Sequence, residues 1–253
     1  MKKNVRVVIL QIIIMSAFLL TNNLTAGIFM IDQDGGKTYI ANGKLKEISE
    51  EDGMIMDSKS GDFIYFNPVK KIYTRGKISD FCESMKKMMD QMIASMPPEY
   101  KKMLGVGEKQ KPLKVEIVSE GDGGTIAGYK TDKYRIIANG EPRETIWLAT
   151  DASLIKEFKS LIAMVSEFEK CSKLMDFGTP PVELSPEYIK LLEKGLTLKS
   201  AEYEEGMENI TTNTVRIEIK DISDSEFQVP SGYKEMSFTE YFSSQMAGEE
   251  EEF

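Results

Sequence analysis

Histidine is absent from the 253 residues. That removes the usual general base at neutral pH, the serine–histidine triad and most zinc sites. Cysteine occurs only as Cys82 and Cys171, and two thiols so far apart cannot form a cysteine-rich metal centre. No glycine-rich phosphate loop precedes a helical pattern. Asp32-Gln33-Asp34-Gly35 opens like a calcium loop, but Gly36 stands near the third ligand position, Lys37 replaces the required glycine, and Gly43 replaces the bidentate glutamate. Neither a metal site nor a cofactor is therefore expected. The carboxylates Glu50, Glu51, Asp52, Glu204 and Glu205 fall at turn positions, where solvated charge is the ordinary outcome. A non-catalytic protein is expected; a cleft with two inward carboxylates, one of raised pKa, would mark an enzyme instead.

What is present begins at the N-terminus. Lys2, Lys3 and Arg6 precede an apolar run from Val7 to Leu20, and a short polar exit ends at Ala26. This is the layout of a secretory signal peptide, with a run shorter than the roughly 20 residues of a spanning helix. Leu24-Thr25-Ala26 would suit a lipobox if cysteine followed, but Gly27 has no thiol to acylate. The expectation is cleavage after Ala26, no lipid anchor, no stable transmembrane anchor, and an exported protein that is periplasmic or extracellular. The segment 1–26 holds three of the 32 basic residues and none of the 41 acidic ones, so 29 against 41 remain, a net charge of −12. Such a surface repels phosphate backbones and anionic headgroups, and no nucleic-acid partner is expected.

Residues 27–246 read as a single α+β domain, with 247–253 as a like-charged, disordered tail. From Ile28 to Arg75, short apolar or β-branched runs alternate with turn signals such as Asn42-Gly43 and Ser60-Gly61, the pattern of an antiparallel meander. Ile78 to Met96 then shifts to three- and four-residue spacing, ending at Pro97-Pro98, and a second amphipathic helix is expected from Ala152 to Met175. Between them, strands are expected near Leu113 to Val118, Gly128 to Ala138 and Thr145 to Thr150, with a turn at Gly121 to Gly124. Val215, Ile217 and Ile219 alternate with charged residues, marking a sheet with one wet face, with Leu196 to Glu204 as hairpin partner. No fixed-period repeat and no interdomain linker is visible.

Three features invite a functional reading. Met85, Met88, Met89, Met92 and Met96 share a helix face, and polarisable, unbranched side chains adapt either to the protein's own sheet or to an acyl chain. Trp147 sits in a strand and suits a sheet edge or a pocket wall. Cys82 and Cys171 each fall in a predicted helix; in an exported chain they either form a disulfide or pack as buried free thiols.

Several segments resemble a known family. Asn42-Gly43-Lys44, Asn67-Pro68-Val69-Lys70-Lys71-Ile72-Tyr73, Ile126-Ala127-Gly128-Tyr129-Lys130, Lys133-Tyr134-Arg135, Ile146-Trp147-Leu148-Ala149 and Phe227-Gln228-Val229-Pro230-Ser231-Gly232-Tyr233 carry the resemblance. They are similar to a family of exported bacterial proteins of unknown function, distantly similar to the periplasmic lipoprotein carriers and their outer-membrane receptors. The resemblance implies an incomplete β-barrel, or half-barrel, in which the antiparallel meander curls over the two long amphipathic helices. The ligand expected there is a lipid or other apolar molecule, with Met85, Met88, Met89, Met92, Phe158 and Leu161 as its lining. The alternative is a structural or protein-interaction module with a packed core and no ligand.

Overall fold

Two-residue turns build much of the chain. Asn42 and Gly43, and again Asn139 and Gly140, take positive φ, the backbone that lets a tight hairpin follow the natural strand twist. The computed structural model describes residues 25–103, 113–175, 181–204 and 206–249. The N-terminal strands are β1 (Thr25–Asp32), β2 (Lys37–Ala41), β3 (Lys44–Ile48), β4 (Gly53–Asp57), β5 (Asp62–Asn67) and β6 (Ile72–Lys77). Helices α1 (Ile78–Ser95) and α2 (Pro98–Met103) follow, then β7 (Val115–Ile126), β8 (Tyr129–Ala138) and β9 (Glu141–Ala149). Next come α3 (Ala152–Met175), α4 (Pro186–Leu192), β10 (Leu196–Glu204), β11 (Met207–Ile222), the short β12 (Lys234–Glu235) and α5 (Phe238–Glu249).

The strands form one twelve-stranded sheet in the order β12-β6-β5-β4-β3-β2-β1-β11-β10-β9-β8-β7. Every pairing is antiparallel except β12 with β6. The expected half-barrel curled over two long helices is thus corrected: the sheet is single, large, open and mixed, with β12 and β7 as its unjoined edges. Period-two alternation reports which face of a strand is buried, and that pattern is the same in an open sheet and a closing one. Closure depends on which distant strands meet. Here β1 meets β11, joining the two meanders side by side rather than end to end.

The principal core lies on the helical face. Ile28, Ile40, Leu45, Met56 and Phe63 stand opposite one another across β1 to β5 and make a continuous apolar row. Leu154, Leu161 and Met164 of α3 pack in the same core. Helix α1 contributes Ile78, Cys82 and Phe81, whose ring lies 5.6 Å from Phe238 and 5.5 Å from Phe242 of α5. Cys82 and Cys171 are bridged, tying α1 to α3 across 89 residues of sequence. The helix starts with Asp80, whose carboxylate accepts the Lys77 N–H at 3.1 Å, and stops before Pro97-Pro98. On the opposite face, Ala41, Ile55, Phe66 and Ile222 are covered by Phe227 and partly by Val229 and Tyr233. A third cluster places Tyr188 and Leu191 of α4 over Ile136, Ile146 and Leu148.

One local expectation also shifts. β7 runs through Gly121 to Gly124 with two register shifts, and the hairpin turns instead at Ala127-Gly128. The predicted cut after Ala26 falls inside β1, where Thr25 and Ala26 pair with Ile222 and Asp221; the rest of the predicted signal lies outside the described residues. Of the expected acidic tail, α5 includes 247–249 and the remainder lies outside them.

Candidate functional site

One row along the sheet from the apolar core row, the same face changes character. Met30, Thr38, Glu47, Met54 and Tyr65 stand opposite one another across β1 to β5. All five line a cleft of about 460 Å³, within the roughly 300–1,000 Å³ usual for small-molecule sites. Its floor is apolar, with Ile40, Leu45 and Leu196 from the strands and Phe158 from α3. Its rim is polar, with Asp32, Lys37, Ser49 and Asp52.

The fourth wall comes from irregular sheet. The β1–β11 register shifts between Ile31 and Asp32, the β10–β11 register between Ser200 and Ala201, and the β10–β9 register between Thr197 and Lys199. Bulges of this kind bend a strand and re-aim its side chains, and they recur beside functional sites. Here they bring Thr197, Thr212 and Thr214 to the cleft.

The three acids differ in their bonding. Asp32 Oδ1 accepts the backbone N–H groups of Asp34 at 2.9 Å and Gly36 at 2.7 Å, closing the β1–β2 turn. Asp52 Oδ1 accepts the Ser49 hydroxyl at 2.9 Å. Glu47 has no hydrogen-bond or ion-pair partner among the described residues. Protein atoms crowd it on most sides, yet its side chain remains open to water through the cleft. It belongs to a concave wall and not to a sealed interior, so its loss of hydration is partial. That loss, with Asp52 and Asp32 nearby, raises its carboxyl pKa above the ordinary value. Burial first, then Asp52 and Glu47, likewise pushes the Tyr65 phenol up.

The residues expected to hold a ligand are dispersed. Phe158 lines the cleft. Leu161 is sealed in the principal core at 6% exposure. Met85, Met88 and Met89 are half-buried on α1 and Met92 is 43% exposed; none of the four reaches the cleft wall. Trp147 is buried beneath Lys199 and Lys133, whose ammonium groups lie 4.4 and 5.0 Å from its ring. Of the turn carboxylates, Asp52 belongs to the cleft rim, Glu50, Glu51 and Glu204 are exposed, and Glu205 lies outside the described residues.

Glu47 was the residue to notice. Leu45-Lys46-Glu47 places it two positions from a core leucine, hence on the inward face, where an acid interrupts the alternation. The signal was masked by Lys46, which points to the opposite face yet is also buried, donating through Nζ to the Glu226 carbonyl at 2.9 Å.

A second acid of raised pKa lies elsewhere. Glu144 of β9 accepts the Tyr188 hydroxyl at 2.9 Å and fastens α4 to the sheet. Burial, against the opposing effect of that bond, pushes its carboxyl up to about 7. The arrangement is structural, inside the cluster under α4.

Among the described residues no group of three or more His, Cys, Asp or Glu side chains is placed to hold a metal ion, and no helix is long and apolar enough to cross a membrane. The fold and site therefore define an open, mainly antiparallel sheet with a ligand-sized cleft on its helical face. No family model and no curated protein sequence matches the chain. Among solved structures, it is similar to the crystal structure of MucB, with a TM-score of 0.31 and 11% identity over 84% of this chain. The match spans 60% of the MucB chain. At that score the likeness assigns neither fold nor function.

Proposed function

We propose that this is a non-catalytic exported protein that holds a small apolar or amphiphilic ligand, such as an acyl chain, in the cleft beside Phe158. The observation that supports this reading is the change along one sheet face, from a filled apolar row to a row bordering about 460 Å³ of open space. Burying each methylene contributes about 0.8 kcal/mol, so an eight-carbon tail supplies roughly 6 kcal/mol before ordering costs. Only Glu47 is an inward carboxylate of raised pKa; Asp32 and Asp52 stand at the rim in hydrogen bonds that close their own turns, so the inward pair that would mark an enzyme is not made and the arrangement agrees with binding rather than turnover.

Native mass spectrometry of protein from its own envelope, paired with titration of single-chain amphiphiles into delipidated protein, tests the reading. A stoichiometric adduct that re-forms on titration supports it. Protein that emerges ligand-free and takes up no probe refutes it.

A second reading has its own observation. Met207 and Ile210 of β11 are 63% and 50% exposed, and Val215 and Ile219 of the same strand are also open to solvent. Exposed apolar side chains gathered on one strand suit a protein partner. Replacing Met207 and Ile210 by serine abolishes capture of such a partner and leaves amphiphile binding intact.

A further inference from the structure

We infer that the cleft selects amphiphiles whose polar end is a cation, an alkylammonium seated against Glu47 with its tail toward Phe158. This rests on the proposed binding function and names the chemistry of the ligand. Four observations carry it. The cleft wall bears three carboxylates, Asp32, Glu47 and Asp52, and one cation, Lys37. Two of those acids are engaged by the turns that hold them, whereas Glu47 has no hydrogen-bond or ion-pair partner among the described residues. Glu47 is open to the cleft with its oxygens unclaimed by the protein, and an arriving ammonium supplies the charge-assisted hydrogen bond that the fold does not.

Thr197 is the second open valence. Its Oγ1 has no hydrogen-bond partner among the described residues and no open space beside it; the residue lines the same cleft, and a χ1 rotation turns the hydroxyl toward a bound ammonium. A hydroxyl oxygen can accept from an ammonium N–H. Tyr65, next in the row to Met54, adds an aromatic wall of the kind that attracts cations. An anionic headgroup gains none of this and meets three like charges. The apolar floor beyond the acid row, with Phe158 and Leu45, takes the tail. The site is therefore polar at the end where Glu47 stands and apolar where the helix covers the sheet.

The experiment compares three twelve-carbon probes below their micelle concentrations by isothermal titration to the purified protein: dodecylammonium, dodecanoate and the neutral dodecyl maltoside. Dodecylammonium is expected to bind roughly tenfold more tightly than dodecanoate. Glu47→Gln is expected to cut ammonium affinity roughly fivefold while leaving maltoside affinity unchanged. Glu116→Gln, an equal charge change on exposed β7, controls for the acidic surface as a whole. Equal affinities for ammonium and carboxylate overturn the inference, as does a loss in Glu116→Gln that matches the loss in Glu47→Gln. Either result, with maltoside still bound, leaves the binding function standing; failure of all three probes overturns the binding function itself.

Discussion

Replacing Glu144 by glutamine removes one proton-binding group while keeping an acceptor for the Tyr188 hydroxyl, 2.9 Å away. The native carboxyl titrates at about 7 against an ordinary 4.5, because burial disfavours its charged form. Below pH 4.5 both the folded and the unfolded chain hold the proton, and the contribution to stability is intact. As pH rises the unfolded chain releases it first, so stability falls through the window from 4.5 to about 7 and is then fully lost. A shift of that size corresponds to about 3 kcal/mol at most. Glu144→Gln carries no such penalty. It is expected to match the parent near pH 4 and to exceed it by up to about 3 kcal/mol at pH 8. The surface acids Asp62, Asp151, Glu218 and Glu240 are held below their usual values by hydrogen bonds and, for all but Asp151, neighbouring cations. Their contributions are lost as pH falls, in both proteins alike, so the difference between the two isolates Glu144. Urea unfolding followed by circular dichroism at pH 4, 6 and 8, with the disulfide intact, gives that difference. A gap that stays constant with pH, or a variant weaker than the parent at pH 8, refutes the account of a carboxyl held neutral under α4.

Replacing Cys82 and Cys171 together by serine opens a loop spanning 89 residues and is expected to cost about 4–5 kcal/mol in the chain-entropy description, read as a drop in urea midpoint that reducing agent reproduces in the parent. Gly195→Ala would drive a Cβ into the Ala149 carbonyl oxygen of the neighbouring strand; a loss of about 1–3 kcal/mol is expected, and an unchanged melting temperature would contradict the tight β9–β10 approach. Met54→Trp places a larger side chain in the cleft wall and is expected to abolish amphiphile binding while changing stability by no more than about 1 kcal/mol. Retained binding in that variant would move the ligand to another surface.

Much of the local structure was legible because it depends on neighbours in sequence. The three- and four-residue spacing of Ile78, Phe81, Cys82 and Met85 announced α1, and Pro97-Pro98 its end. Asn42-Gly43 announced the hairpin between β2 and β3, and Ser60-Gly61 the turn between β4 and β5. What escaped depends on distant residues. Nothing near Ile28 says that it will face Ile219, and that pairing makes one open sheet of two meanders. The glycines of Gly121 to Gly124 read as a turn, yet backbone freedom serves a bulge equally well, and β7 continues through them. The methionine stripe was a sound amphipathic signal, and it lies apart from the cleft. Periodicity says that a face is apolar, not that it borders empty space, and the cleft opened instead where Glu47 broke a strand's alternation.

The seam between β1 and β11 has a consequence for how the molecule comes into being. Its first strand is held by one of its last, so Thr25 to Asp32 must wait for a partner some 190 positions downstream. Until that partner emerges, β1 to β5 expose one flank of the meander, and the cleft, which borrows Thr212 and Thr214 from β11, has no far wall. Long-range pairing of this sort slows folding. A chain that emerges N-terminal end first is thereby kept from completing its sheet early, and its cleft takes shape only after nearly all of it is free to fold.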